Sequence, residues 1–376
     1  MSPTDSGTSG PGRVLLAGGG TAGHVSPMLA LADCLSRRDV GVHVSCLGTT
    51  EGLEARLVPE RGYPLLTVSK VPLPRRPSAD VLRLPGRLRG AIAQARAALE
   101  STGAEVLVGF GGYVCPPAYL AARAAGVPIV VHEQNARPGL ANRLGARLTD
   151  IVGVTFSTTS LPHSRVVGMP LRTEIATLDR AERRAEALEW FGLSSDWPTV
   201  LVFGGSLGAQ RLNEAFTAAA GDLQAAGIQV LHIMGRGKLG QVPRSDDGPA
   251  YVALEYCDRM DLAYAAADLA IARAGAGTVC ELAAVGLPAV YVPLPIGNGE
   301  QRLNPAEVVA AGGGMLVDDS LVTPMWVRQT VSALMNDPAS LAAMAAAAAR
   351  TGHRDGDERL ADLVTQAYQR RRTGHA

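Results

Sequence analysis

The sequence predicts an α/β protein of two similar domains, each built on a mostly parallel sheet. Two glycine-rich turns of matching shape, Gly19-Gly-Thr-Ala-Gly-His24 and Gly204-Gly-Ser-Leu-Gly-Ala209, lie about half a chain apart. Each follows a short apolar run and opens a stretch with helical spacing, which is the repeating unit of doubly wound folds. Strand-like runs alternate with helical stretches along the rest of the chain, and 376 residues suffice for two separate cores.

The first apolar run, Arg13 to Ala17, leads through the first turn into a helix expected to open at Pro27, with Met28, Leu31, Ala32 and Leu35 on one face. Short aliphatic runs predict strands at Val42 to Leu47, Leu65 to Val68, Val106 to Val108, Val127 to Val131 and Ile151 to Val154. The alternation pauses at Val166 to Arg172, which marks a hinge, and a charged helix from Arg180 to Trp190 leads into the second domain. There the strands fall at Thr199 to Phe203, Gln229 to Met234, Tyr251 to Leu254, Leu269 to Ala272, Ala289 to Val292 and Met315 to Val317. One helix follows the second glycine turn from Leu212 to Ala220, and another begins near Thr278. Beyond Thr323-Pro324, a cap followed by proline at the first helical position, only helical sequence remains. It ends in Glu358 to Arg372, a tail expected to cross back onto the first domain. The expected division is 1–170 joined by 353–376, and 171–352.

Composition narrows the partners. Lys+Arg and Asp+Glu both number 35, so no overall charge calls for nucleic acid. Five scattered cysteines without a Cys-x-x-Cys pair argue against a disulfide framework and against a zinc site, and fit a reducing cytoplasm. The first twelve residues read as neither signal peptide nor anchor, and no apolar run approaches 18 residues, so a soluble or peripherally attached protein is expected. Between Lys70 and Arg96, seven basic residues (Lys70, Arg75, Arg76, Arg83, Arg87, Arg89, Arg96) face one acid, Asp80, and are interleaved with leucines and valines. Such a segment suits an anionic membrane surface, and equally a solvated helix packed by its leucines.

Each glycine turn should aim backbone N–H groups and a helix N-terminus at an anion, which for a two-domain protein reads as two domains facing one phosphorylated ligand. Gly18, Gly20 and Gly23 also satisfy the dinucleotide fingerprint G-x-G-x-x-G, so an NAD-linked oxidoreductase stands as a rival. That fingerprint wants an acid at the end of the second strand; Cys46-Leu-Gly-Thr-Thr50 offers only the nearby Glu51, and the second glycine turn stays unexplained.

Seven stretches in order resemble the N-acetylglucosaminyltransferase family that converts lipid I to lipid II in peptidoglycan synthesis. They are Gly19 to His24, Gly111-Gly-Tyr113, His132-Glu-Gln-Asn135, Gly168-Met-Pro-Leu-Arg172, Gly204 to Ala209, Arg273-Ala-Gly-Ala-Gly-Thr-Val-Cys-Glu281 and Glu300-Gln-Arg-Leu-Asn304. The resemblance covers nearly the whole chain. It implies a GT-B type glycosyltransferase with two facing Rossmann-like domains. The implied reaction is inverting transfer of GlcNAc from UDP-GlcNAc to the 4-hydroxyl of undecaprenyl-diphosphate-linked MurNAc-pentapeptide. The donor would lie mainly on the second domain and the acceptor on the first. A peripheral place on the cytoplasmic face of the cell membrane is implied too, with proteins of cell-wall synthesis and division as partners and no cofactor. The chain departs from the family at Ala22, usually glycine, at Ala274, usually serine, and at Glu300, where glutamine is expected.

An inverting transfer needs a base for the acceptor proton and stabilisation of the departing diphosphate. His24, ending a glycine turn and titrating near neutrality, is one candidate base; capping or phosphate binding is its plainer role. Glu133, at the carboxyl end of a strand, is the rival base unless it merely orients Asn135. Ser206 and the helix near Thr278 are candidates to hold the diphosphate. Glu281, three residues further on, suits sugar or ribose hydroxyls, although an acid in a first turn also suits the helix itself. Arg172 is a candidate partner for the diphosphate, and Asn135 for sugar hydroxyls. By the resemblance, substrate contacts also fall on Thr21, Ala22, Gly23 and Tyr113, and on Cys257, Ala276, Gly277, Thr278, Val279, Glu300 and Gln301. The single Asp-x-Asp, Asp355-Gly-Asp357, lies in the tail, where it starts a helix rather than holding a metal. Two alternatives stay open: another UDP-sugar enzyme, such as a UDP-GlcNAc 2-epimerase or a glycolipid synthase, and outside that class the oxidoreductase or a binding-only subunit.

Overall fold

A computed structural model of the protein describes residues 10–71, 80–205, 209–240, 242, 248–296 and 298–374. The chain forms two compact units, Met1–Arg172 with Asp355–Ala376, and Thr173–Arg354.

In the first unit the strands are β1 (Arg13–Ala17), β2 (His43–Gly48), β3 (Leu65–Thr67), β4 (Val106–Gly109), β5 (Ile129–Glu133), β6 (Val152–Val154) and β7 (Ser164–Val166). They form one sheet in the order β3-β2-β1-β4-β5-β6-β7, and all its pairings are parallel. Parallel strands covered by helices on both faces read as continuous apolar runs, as in Val14 to Ala17 and Val106 to Val108, all of them buried. The covering helices are α1 (Ala22–Arg38), α2 (Glu54–Glu60), α3 (Asp80–Thr102), α4 (Cys115–Ala125) and α5 (Leu140–Gly145).

Three sequence expectations change here. The first helix opens at Ala22 rather than Pro27, because Thr21 takes the extended capping conformation and its carbonyl accepts the His24 and Val25 N–H groups. Pro27, which carries no N–H, is accommodated inside the helix and is buried. The fifth strand runs to Glu133, so His132 and Glu133 belong to the sheet itself. At the sheet edge, β7 is a strand the sequence does not predict, ending at Val166 where the hinge was expected to begin; its three residues are all exposed, and so carry no apolar pattern.

A C-terminal helix, Gly356–Arg372, belongs to this unit as the sequence predicts. Its buried Leu360, Leu363 and Val364 join Val25, Met28 and Leu31 of α1 in one core. Gly356 lies against the Met169 backbone, which a Cβ would strike. The Asp-x-Asp motif starts this helix, and Asp357 pairs with Arg37 at 2.8 Å.

The second unit contains β8 (Thr199–Phe203), β9 (Gln229–Ile233), β10 (Tyr251–Leu254), β11 (Leu269–Arg273), β12 (Ala289–Val292) and β13 (Gly314–Leu316). Their order, β10-β9-β8-β11-β12-β13, repeats that of the first six strands, again in parallel. The helices that matter for the site are α6 (Thr173–Ala176), α7 (Arg180–Phe191), α8 (Gln210–Ala218), α9 (Ala220–Ala225), α10 (Met260–Ala266), α11 (Ala276–Ala284) and α12 (Glu300–Leu303). Asp179 caps α7 through its side chain, and Gly192 ends it in the left-handed conformation.

In both units the strand order reverses beside the first strand, between β1 and β4 and between β8 and β11. Ligands of open parallel sheets bind at such switch points, at the carboxyl ends of the strands. The first glycine turn sits there, as do Gly204 and Gly205, which open the second.

Candidate functional site

In the first unit the loops after β1, β4 and β5 converge. Gly20 has φ +90, Gly111 φ +99 and Gly112 φ +82, values that side-chain-bearing residues rarely adopt. A Cβ on Gly111 would stand 3.2 Å from His24 Nε2, and one on Gly112 would stand 2.7 Å from the Gly19 carbonyl oxygen. The glycines let the second loop close over the first.

His24 occupies the first turn of α1, rather than only ending the glycine turn as the sequence suggests, and is half-buried. Its Nδ1 lies 3.1 Å from the Gly19 carbonyl oxygen and 3.3 Å from Thr21 Oγ1. A carbonyl only accepts, so Nδ1 carries the hydrogen and the neutral ring keeps its lone pair on Nε2. Burial pushes the imidazole pKa below its ordinary value, opposed by the Gly19 hydrogen bond and by the negative charges of Glu133 and Glu54. His24 is thus disposed to be neutral, with Nε2 available for a proton.

Glu133 is buried, and both its oxygens are engaged. Oε1 accepts the Asn135 N–H at 2.9 Å, while Oε2 accepts the Gly139 N–H and Asn142 Nδ2, each at 3.0 Å. These bonds shape the turn that carries Asn135, whose carbonyl accepts Thr159 Oγ1. Geometry therefore favours Glu133 as an organiser of the loop and a fixed negative charge near His24, and disfavours it as the base. Thr21, Ala22 and Gly23 are exposed around the opening of α1, and the extra methyl of Ala22 points to no crowded space. Tyr113 is exposed, with Lys70 Nζ 5.6 Å from its ring centre. Arg172 ends this segment of the unit, half-buried.

Glu54 escaped the sequence reading, in which Glu51 stood as the nearby acid. Its carboxylate lies under the first glycine turn, accepting the Gly20 N–H at 2.8 Å, the Thr49 N–H at 2.9 Å and Thr49 Oγ1 at 2.8 Å. A Cβ at Gly19, Gly48 or Gly52 would run into it. Burial pushes this carboxyl pKa up, but the hydrogen bonds from Gly20 and Thr49 outweigh that and hold it below the usual range. This acid consumes a turn N–H that the dinucleotide reading would give to pyrophosphate, and is itself too engaged to hold a ribose.

In the second unit Ser206 lies outside the described residues. The neighbouring loop is clearer: α11 opens at Ala276, two residues before the expected start, with Gly275 at its cap. The first N–H groups of a helix have no intrahelical acceptor, so Ala276, Gly277 and Thr278 present three donors at the positive end of a macrodipole. Val279 has a buried side chain, and its N–H bonds the Gly275 carbonyl. Ala276 is likewise buried and offers a ligand only its backbone. Ala274 is buried too, so the missing serine hydroxyl takes nothing from the exposed surface.

Glu281 stands one turn into α11, its Oε2 accepting the hydroxyl of buried Tyr264 at 2.6 Å. The adjacent loop after β12 leads into α12, which begins with Glu300 and Gln301. Gln301 Oε1 accepts the Leu294 N–H at 3.0 Å, so toward a ligand this side chain offers its Nε2 donors. Glu300 Oε2 is shielded from solvent with no hydrogen-bond partner among the described residues, an acceptor suited to a hydroxyl. Asn304 Nδ2 donates to the Ala274 carbonyl at 3.1 Å and ties α12 to the start of α11. Cys257 is half-buried in the loop between β10 and α10. Asn142 and Tyr264 act through neighbours already in the motifs, and only packing reveals them; Asn304 stands in the Glu300 to Asn304 stretch, but its tie to Ala274 is visible only in the fold.

Among the described residues, the group with metal-ligand spacing is Cys34, Asp357 and Glu358, on α1 and the C-terminal helix. Arg37 and Arg38 pair with its two acids.

Residues 14–154 match the glycosyltransferase family 28 N-terminal domain, and residues 199–360 match its C-terminal domain. A relative from Acidothermus cellulolyticus, named UDP-N-acetylglucosamine--N-acetylmuramyl-(pentapeptide) pyrophosphoryl-undecaprenol N-acetylglucosamine transferase, is 58% identical over 96% of this chain and 99% of its own. A protein of the same name from Streptomyces coelicolor is 56% identical over 96% of this chain and 99% of its own. The crystal structure of Acinetobacter baumannii MurG is 30% identical, with a TM-score of 0.77 over 95% of this chain and 100% of that one. The kitacinnamycin glycosyltransferase, 19% identical with a TM-score of 0.71 over 95% of this chain and 99% of its own, shares the fold.

Proposed function

The chain belongs to the UDP-N-acetylglucosamine--N-acetylmuramyl-(pentapeptide) pyrophosphoryl-undecaprenol N-acetylglucosamine transferases of glycosyltransferase family 28, and from that premise we propose how its residues divide the work. The enzyme transfers GlcNAc from UDP-GlcNAc to the MurNAc-pentapeptide of lipid I, giving lipid II and UDP. The MurNAc 4-hydroxyl oxygen attacks the anomeric carbon as the bond to the UDP β-phosphate breaks, inverting that centre. His24 Nε2 takes the hydroxyl proton, and the displaced charge leaves on UDP.

The second unit holds the donor in this reading. The first-turn N–H groups of α11 face the diphosphate, Glu281 and Glu300 accept sugar or ribose hydroxyls, and Gln301 donates to them. Ser206, in the second glycine turn, is assigned to the diphosphate on its motif. The first unit holds the acceptor around the 19–24 turn, Tyr113 and Asn135, with Arg172 toward the diphosphate. The observation that carries the chemistry is the His24 Nδ1 contact with the Gly19 carbonyl, which leaves Nε2 the basic nitrogen.

A lipid-linked acceptor also assigns a surface. No helix among the described residues is long and apolar enough to cross a membrane. In α3, Ala91, Ala95, Ala98 and Leu99 make the buried stripe, leaving Leu84 and Leu88 half-buried and Arg87 and Arg89 exposed. The helix is thus anchored by its second half, and its first half, with the basic stretch before it, is the proposed contact with the cytoplasmic leaflet. Arg75 and Arg76, and the side chain of Arg83, lie outside the described residues.

Labelled GlcNAc supplied as UDP-GlcNAc should appear in a lipid I analogue, with UDP released in equal amount. Conversion of UDP-GlcNAc to its 2-epimer without transfer, or binding without turnover, would sink the assignment.

A further inference from the structure

The proton that His24 accepts must be balanced by something on the far side of its ring. The Gly20 N–H, which Glu54 Oε2 accepts at 2.8 Å, and the Gly19 carbonyl, which faces His24 Nδ1 at 3.1 Å, belong to one peptide unit. In a trans peptide these groups point in opposite directions. The carboxylate and the imidazole therefore occupy the two ends of a single amide dipole.

We propose that Glu54 and His24 form a dyad bridged by the Gly19-Gly20 peptide, in which Glu54 is a positioning residue for the base. The proposal rests on the reading of His24 as that base. A carboxylate at the N–H end polarises the amide and makes its carbonyl a stronger acceptor. A stronger acceptor holds the proton on Nδ1, aims the ring, and stabilises the imidazolium that forms when Nε2 takes the acceptor proton. No proton crosses the peptide; the carboxylate stays ionised throughout.

The surroundings fit a charge held at this spot. Thr49 engages the other oxygen through both its N–H and its hydroxyl. Three glycines, Gly19, Gly48 and Gly52, leave the room the side chain fills. Gly20 at φ +90 gives the peptide its orientation, which a side-chain-bearing residue would strain. Thr21 Oγ1, the other partner of Nδ1, lies farther away at 3.3 Å. The titratable groups facing His24 are Glu54 from α2 and Glu133 from β5. Cys115 of α4, bonded to Gly111, has a thiol that burial pushes up to about 12, so it stays neutral through the range of interest.

The test uses the full-length enzyme, nitrogen-15 spectroscopy of the histidine rings and steady-state transfer. In the wild type, neutral His24 should be the Nδ1–H tautomer. Glu54→Gln keeps the shape but removes the charge and mismatches one donor. It should lower the His24 pKa by about half a unit or more and shift the acid limb of the rate profile with it. It should also reduce kcat by roughly tenfold to a hundredfold while the KM for UDP-GlcNAc stays within about twofold. A purely structural Glu54 would change the melting temperature but leave the His24 titration and tautomer alone, and that outcome overturns the dyad. If Glu54→Gln fails to fold, the wild-type spectrum decides, since an Nε2–H tautomer refutes the bridge. His24→Gln separates the two readings: full activity in that variant removes the base, whereas its inactivity beside an unaffected Glu54→Gln removes only the dyad.

Discussion

His24 acquires its character from groups that its own motif does not name. The Gly19 carbonyl selects the tautomer, burial lowers the pKa, and Glu54 and Glu133 oppose that lowering with negative charge. Burial is the largest of these influences, so the net shift is downward from the ordinary imidazole value of 6.5. The sign for activity follows. A general base must be neutral, so the rate is lost as pH falls through the His24 pKa and full above it. With donor saturating, kcat/KM for the acceptor should therefore show an acid limb whose midpoint lies below 6.5. A limb centred well above that value would contradict a desolvated base. Glu133, the rival candidate in the sequence, is engaged through both oxygens by its own loop, which is why His24 is the base proposed here.

In the proposed assignment, two short elements carry donor recognition. Helix α11 contributes its first-turn N–H groups, and Glu281 one turn later is aimed by the Tyr264 hydroxyl from α10. Helix α12 sets Glu300 and Gln301 on the neighbouring loop, and Asn304 ties the two elements together. Such an arrangement loses whole hydrogen bonds, rather than general packing, when a polar side chain is truncated. Glu281→Ala and Gln301→Ala should each lower kcat/KM for UDP-GlcNAc by roughly tenfold to a thousandfold, with little change in affinity for the lipid acceptor. Values within twofold of wild type for both variants would take these residues out of the donor site. Val279, in the same motif, should tolerate replacement by Ile without this loss, since it contributes packing alone.

At the scale of the whole molecule, the chain uses one topology twice and returns its C-terminal helix to the first unit. The same unit carries the basic segment from Lys70 to Arg96. Each cation near an anionic leaflet contributes about 1 kcal/mol, so several together can hold an enzyme at a surface without a spanning helix. Replacing Arg75, Arg76, Arg83 and Arg87 together by Gln should weaken co-sedimentation with vesicles containing anionic lipid, and added salt should weaken the wild type in the same way. Transfer to a short-chain soluble acceptor should be largely kept. Unchanged co-sedimentation would return the segment to the role of a solvated helix.

The sequence by itself determined the two glycine turns, nearly every strand and the fold class, because these depend on short-range patterns: an apolar run of four or five residues, a glycine that permits a turn, a helical spacing after it. It also carried the family's motifs, and with them His24, Glu281 and Gln301. The edge strand β7, three exposed residues, held no such pattern, and the start of α1 depended on how Thr21 and Pro27 settle against the rest of the unit. Only the tertiary structure decided that Glu54 would reach Gly20 across 34 residues of chain, that Asn142 would meet Glu133, and that Asn304 would find Ala274. Strand order brings the first and last of these pairs together: β2 lies beside β1 and β12 beside β11, so a residue following one strand falls against the turn following its neighbour, whereas Asn142 meets Glu133 as the loop after β5 folds back. A contact of that kind is written in no local spacing, since it exists only once the sheet has assembled and placed the carboxyl ends of its strands side by side.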